Sequence, residues 1–159
     1  MIHFSIRSID PALVGVTALG IFLRLRRLGE YDNSYYTATV ASMLQSVHNF
    51  LFASFDPAGI VSVDKPPVSF WIQSISAAIL GVNETSVTLP QVLLGSVAII
   101  IIYLTIRPVF GRLSAILSSL ILAVTPAMVL IDSRNEPDSL LSLSLLLAAF
   151  SIIRAADTR

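Results

Sequence analysis

The chain has 159 residues, 55% of them hydrophobic and only 13% charged, with zero net charge and a mean hydropathy of +0.82. Soluble domains carry about 25% charged residues, so this composition points to a membrane protein, and with no basic stripe or binding motif it argues against a nucleic-acid partner. Cysteine is absent, which excludes disulfides, cysteine-ligated iron–sulfur clusters and thiolate zinc sites.

Asp10-Pro11 reads as a helix cap followed by proline at the first helical position, and Pro11–Leu23 is apolar and uncharged. This run is short for a bilayer core, which takes about 20 residues. A signal-peptide core is the alternative, but Arg24, Arg26 and Arg27 follow where a small-residue cleavage site would stand. A first transmembrane helix over about 11–27 is the expectation. Next comes a long mixed interval, about 30–84, holding Glu30-Tyr31-Asp32-Asn33 and Asp64-Lys65-Pro66-Pro67. Within it, Tyr36, Val40, Met43, Leu44, Val47 and Leu51 lie at helical spacing, so Ser34–Phe52 reads as an amphipathic helix with Ser42, Gln45, Ser46 and Asn49 on its polar side. Asp56-Pro57-Ala58-Gly59 signals a turn. Val68–Leu80 reads as a second amphipathic stretch, Ser69, Gln73 and Ser76 opposing Phe70, Trp71 and Ile75, with Trp71 at headgroup level.

Beyond the interval, further spans are expected over about 86–107, 113–131 and 138–155. A tight turn at Arg107–Arg112 separates the first two, Pro126 kinks the second, and a charged loop at Asp132–Asp138 precedes the last. The expected class is therefore all-α: a multi-pass membrane module of about four transmembrane helices with two interfacial amphipathic helices in its first loop. With the N-terminus cytoplasmic, Arg7, Arg107, Arg112, Arg154 and Arg159 face inward. Arg24, Arg26, Arg27, Lys65 and Arg134 face out in equal number, joined by most of the acids. Lys and Arg counts alone do not decide the orientation. A basic turn and a basic C-terminus facing inward favour this one.

His3 and His48 read as surface residues, too far apart in sequence to form a motif. The charged residues of the mixed interval each have two readings. Asp32 is placed to accept a proton from a hydroxyl at the bilayer surface, or to cap the next helix. Lys65, held extended by Pro66, is placed to pair with a lipid phosphate, or is a solvated loop lysine. Arg24, Arg26 and Arg27 suit snorkelling to headgroups. Glu136 and Asp138 suit the N-terminus of the last helix.

The ordered set Asp32-x-x-Tyr35-Tyr36, Lys65-Pro66-Pro67-Val68-x-x-Trp71, Leu89-Pro90 and Ser133-Arg134-x-x-x-Asp138 resembles the start of membrane glycosyltransferases of the protein O-mannosyltransferase type. That family includes the lipid A aminoarabinose transferases, and the runs Ala38–Ser46 and Phe55-Asp56-Pro57 are most similar to its bacterial mannosyltransferase-like branch. The resemblance extends from about Phe22 to Arg154. It implies the N-terminal part of a GT-C fold in a bacterial plasma membrane, and inverting transfer from a polyprenyl-phosphate-linked sugar to a lipid, glycan or protein hydroxyl on the extracytoplasmic face. It further implies Asp32 as general base and Lys65, helped by Arg24 or Arg27, as the site of the departing phosphate. Asp138, with Glu136 beside it, would be a second acid that positions the acceptor or a neighbouring cation. The scheme requires no metal and no cofactor. Two departures stand out. Asn33 occupies a position where many relatives carry glutamate, and the fold of the family resembles a larger helical bundle. The remainder is then expected on a separate or missing part, and a non-catalytic accessory protein derived from the family is the alternative. A small transporter fits less well, because the charges sit at membrane edges and not at the midplane.

Overall fold

A computed structural model of the chain describes residues 10–29 and 33–157. Among these residues every regular element is a helix: α1 (Pro11–Leu25), α2 (Ser34–Met43), α3 (Val47–Phe52), α4 (Pro67–Leu80), α5 (Glu84–Val124), α6 (Pro126–Asp132) and α7 (Asp138–Asp157). The all-α expectation agrees with this. An isolated bridge between Ser54 and Ser62 closes the turn after α3.

α1 starts as its sequence dictates, with the Asp10 carboxylate accepting the Ala12 N–H at 3.0 Å and Pro11 in the first turn. The same carboxylate accepts bonds from Tyr103 at 2.7 Å and from Arg112 at 2.7 and 2.9 Å. These contacts tie the start of α1 to the middle of α5. α5 opens with a capping box in which Asn83 Oδ1 accepts the Ser86 N–H and Ser86 Oγ accepts the Asn83 N–H. Its path bends at Gly111, where φ of +81° is a conformation that glycine adopts at no steric cost. The expected basic turn is therefore a single-residue break between arms 84–110 and 112–124. The first arm, about 40 Å long at about 1.5 Å per residue, runs antiparallel to α1. The second runs alongside α1 in the same direction, from the Asp10–Arg112 contact to the meeting of Ala123 with Arg24.

Small residues allow this three-rod layer to close. Gly20 faces Ile99 and Ala123, and a Cβ there would collide with the Ile99 side chain. Val16, Ile99 and Ala123 form its core. This kind of close approach through Gly and Ala is how helices pack where lipid supplies no hydrophobic drive. At Pro126 the expected kink is a full break. The residue before proline is pushed out of the α region, and Thr125 sits at ψ 118°, so α6 begins as a separate helix. From the far end of α6 the chain turns, and α7 packs back against α5.

The loop helices form a second core from Tyr36, Val40, Met43, Phe70 and Ala77, joined to α5 through Val87. The single amphipathic helix expected over Ser34–Phe52 is divided. Ser46 Oγ accepts the Asn49 N–H and starts α3 afresh. In consequence Tyr36, Val40 and Met43 are buried as expected, whereas Leu44, Val47 and Leu51 face outward. Ser42 and Asn49, expected on a polar outer side, are buried and bonded to each other. In α4 the expected polar side faces inward. Ser69 and Gln73 are buried, together with Ser74, and Ser76 is half-buried; of the apolar side Phe70 is buried as well, while Ile75 and Ile79 are exposed. Trp71 donates its indole N–H to the Phe50 carbonyl at 2.7 Å and stacks on that ring.

Outward apolar faces recur on α7, at Leu141, Leu145 and Ile152. α5 and α7 are long and apolar enough to cross a membrane, and α1 and α4 are shorter apolar helices. An inside-out distribution of this kind is consistent with membrane association.

Candidate functional site

Because α1 and the first arm of α5 are antiparallel, the end of α1, the loop helices and the turn before α7 all gather at one end of the rods. There Gly29 lies beside Glu84 and Thr85. Arg107 and Arg112 flank Gly111 at the opposite end. Of the sequence-derived site residues, Lys65, Glu136 and Asp138 share the loop end. Asp32, with Glu30 and Tyr31, lies outside the described residues, as do His3, Arg7 and Arg159. Asn33, the residue directly after Asp32, is described.

Asn33 occupies the cap position of α2. Its side chain makes no capping bond; Asn33 Nδ2 donates instead to Glu136 Oε1 at 3.2 Å. Beside it, the Asn135 side chain accepts the Asn33 N–H at 2.8 Å and donates to the Asn33 carbonyl at 3.0 Å and to Thr37 Oγ1 at 2.8 Å. From α4, Gln73 Nε2 donates to the Asn135 carbonyl at 3.4 Å. Segments about 100 residues apart in the chain are thereby stitched together. Sequence inspection passed over Asn135, which is uncharged, and read Gln73 only as part of the polar side of an amphipathic helix. The remaining signal was the placement of two amide side chains among apolar helices.

Lys65 Nζ lies 3.7 Å from Asp138 Oδ1, with the two side chains 36% and 45% exposed. So long and open a pair contributes little stability, about 0–1 kcal/mol, and an incoming anion can replace it. Negative charge concentrates around it. The Tyr36 hydroxyl is pushed up to about 12, first by burial and then by the fields of Asp64, Glu136 and Asp138. Tyr36 packs on Tyr35, which is partly exposed and packs in turn on Phe55 at 4.6 Å between ring centres. Among the described residues no three His, Asp or Glu side chains converge to hold a metal ion.

Arg24 and Arg27 differ in kind. Arg27 is exposed beyond the end of α1. Arg24 is fully buried: Nε and Nη2 each lie 2.8 Å from Asp132 Oδ2, and Nη1 donates to the carbonyls of Gly20 and Ala123. Asp132 also accepts a 2.6 Å bond from Ser139, at the start of α7. Arg24 thus does not reach the surface where a lipid phosphate would lie. Sequence inspection assigned Asp132 to a charged loop and gave no sign of this pairing.

A sequence profile of the family described as dolichyl-phosphate-mannose-protein mannosyltransferase matches residues 64–159. Over 151 residues the chain is 44% identical to a Bacillus subtilis (strain 168) protein described as "Putative mannosyltransferase YkcB", an alignment covering 94% of this chain and 21% of that protein. It is 42% identical over 151 residues to "Putative mannosyltransferase YycA" of the same strain, covering 94% of this chain and 22% of that protein. An uncharacterized protein of Aquifex aeolicus (strain VF5) is 34% identical over 95 residues, covering 59% of this chain and 18% of that protein. The chain spans about a fifth of the length of these relatives. No solved structure matches it.

Proposed function

Because the chain belongs to the dolichyl-phosphate-mannose-protein mannosyltransferase family, we propose that it carries the catalytic-loop portion of a glycosyltransferase working at the extracytoplasmic face of a bacterial plasma membrane. The donor is a sugar linked to a polyprenyl phosphate, and the acceptor is a hydroxyl of a lipid, glycan or protein. The observation that carries this reading is the convergence of Lys65, Glu136, Asp138 and Asn33, the neighbour of Asp32, at one end of membrane-length helices.

In the reaction, Asp32 takes the proton of the acceptor hydroxyl as its oxygen attacks the anomeric carbon. The bond from that carbon to the phosphate oxygen breaks on the opposite face, inverting the centre, and its electrons leave with the polyprenyl phosphate. Lys65 offsets the charge that develops there, which is where a preorganised cation gains most. Its present partner, Asp138, is loosely held, so phosphate can displace it and leave the carboxylate to face the acceptor. Arg27, exposed at the end of α1, is the second candidate for the phosphate. Arg24 acts by holding α1, the end of α5 and the start of α7 together.

The test is transfer from a synthetic polyprenyl-phosphate hexose in membranes of cells producing the protein from its own locus. Asp32→Asn keeps shape and hydrogen-bonding reach but removes the proton acceptor, so turnover should fall by about 10²–10⁴-fold with donor binding unchanged. Near-normal turnover of that variant sinks the assignment.

A further inference from the structure

A buried asparagine is tolerated when its amide is fully bonded, and costly otherwise. Asn135 is fully buried, and its amide brackets the backbone of one residue, accepting the Asn33 N–H and donating to the Asn33 carbonyl. Its second donor direction goes to Thr37 Oγ1, one turn into α2. Two bonds to one residue, on both sides of its Cα, fix that residue's orientation in a way that a single bond does not. The N–H that it accepts belongs to the peptide bond joining Asp32 to Asn33. Asn135 is itself held by Gln73 through its carbonyl. Three residues on stands Asp138, with Pro137 limiting the backbone freedom of the intervening Glu136.

We propose that Asn135 is a positioning residue that clamps Asn33, the residue bonded to Asp32 in the chain, to the turn carrying Asp138. The proposal rests on the function proposed above. Asn135 touches no reacting atom. It acts through Asn33, by fixing the backbone to which Asp32 is joined. A neutral amide suits the task better than a carboxylate, which would add to the negative fields of Glu136 and Asp138.

The experiment has two readouts on the protein in its native membranes. The first is hydrogen–deuterium exchange of peptides covering Asn33–Thr37. In Asn135→Ala these amides should exchange faster, with peptides of the first arm of α5 unchanged; unchanged exchange at Asn33–Thr37 overturns the clamp. The second is a double-mutant cycle on transfer rate. Asn135→Ala alone should lower turnover by about 10²-fold, the scale of a slight misplacement of a catalytic group, with the donor KM little changed. In an Asp32→Asn background it should cost little more, because the group it positions is already gone. Equal losses in both backgrounds overturn the proposal and leave Asn135 as a fold staple. If Asn135→Ala fails to accumulate, Asn135→Ser keeps a small neutral polar side chain while losing the two-sided bracket on Asn33. It should show the same non-additivity, and additivity counts against the proposal equally. Normal turnover of Asp32→Asn alone is a different failure, that of the functional reading, and is scored separately.

Discussion

The Arg24 guanidinium and the Asp132 carboxylate meet at 2.8 Å across 108 residues of sequence, with their side chains 0% and 1% exposed. Arg24 closes α1, Asp132 closes α6, and Ser139 adds the start of α7 to the same carboxylate. Removing one partner strands a buried charge, which is far more costly than losing the pair. Asp132→Ala should therefore destabilise the protein by about 3–5 kcal/mol, whereas Arg24→Met combined with Asp132→Leu should cost much less. Unfolding in detergent, followed by helical circular dichroism, measures both. An additive double variant would contradict a shared pair.

Gly95 lies against the Asp132 carboxylate so closely that a Cβ there would collide with it, while a Cβ on Gly15 meets open space. Gly95→Ala should cost about 1–3 kcal/mol through overpacking against a carboxylate that cannot move without leaving Arg24. Gly15→Ala, on an exposed helix face, should be neutral or slightly stabilising. The same unfolding assay separates the two, and equal effects would argue against the tight packing at Gly95.

Orientation can be read by labelling, since the chain has no native cysteine. Gly111 stands at the arginine-rich end of the rods, Ser34 and Glu136 at the other. An impermeant thiol reagent applied to intact cells should modify Ser34→Cys and Glu136→Cys and spare Gly111→Cys. The reverse pattern would invert the proposed topology.

Lys65 and Arg24 should separate kinetically. Lys65→Ala removes an exposed cation from the proposed phosphate site, so donor affinity and turnover should fall together, with Lys65→Arg recovering part of both. Its fold should be intact, because the Asp138 pair is exposed and long. Arg24→Ala should instead lower the amount of folded protein. Normal donor affinity in Lys65→Ala would remove Lys65 from the site.

Asp10 offers a pH test at the opposite end. Hydrogen bonds from Arg112 and then from Tyr103 hold its carboxyl well below the ordinary carboxylate range. A group whose folded value is depressed adds stability above its unfolded value, about 3.9. That contribution is lost as the pH falls below this value toward the folded one. Wild type should therefore lose more stability than Asp10→Asn on acidification below about pH 4, and the two should run parallel near neutrality. Parallel curves throughout would mean that the Asp10–Arg112 contact is not made in solution.

The helical class was legible because uncharged runs of membrane length and turn signals such as Asp10-Pro11 act over a few neighbouring residues. So was the gathering of Lys65, Glu136 and Asp138, since alternating spans bring every second loop to the same end. The sequence was less informative about which faces turn inward. In α4 and in the α2–α3 segment an amphipathic pattern marks two faces but does not say whether water, lipid or protein lies against each. Here protein takes Ser42, Asn49, Ser69 and Gln73, and Ile75 and Ile79 are left outside.

By itself the sequence determined what depends on nearest neighbours and on total hydrophobicity: helices, their breaks at Gly111 and Pro126, and the ordered motif that places the chain in its family. Only the tertiary structure decided which distant side chains meet. Arg24 with Asp132 and Asn33 with Asn135 are pairs separated by about 100 residues. Local periodicity carries no information at that range, and their partnership follows from the return of the second arm of α5 along α1, which brings α6 and the turn before α7 back to the end where α1 stops.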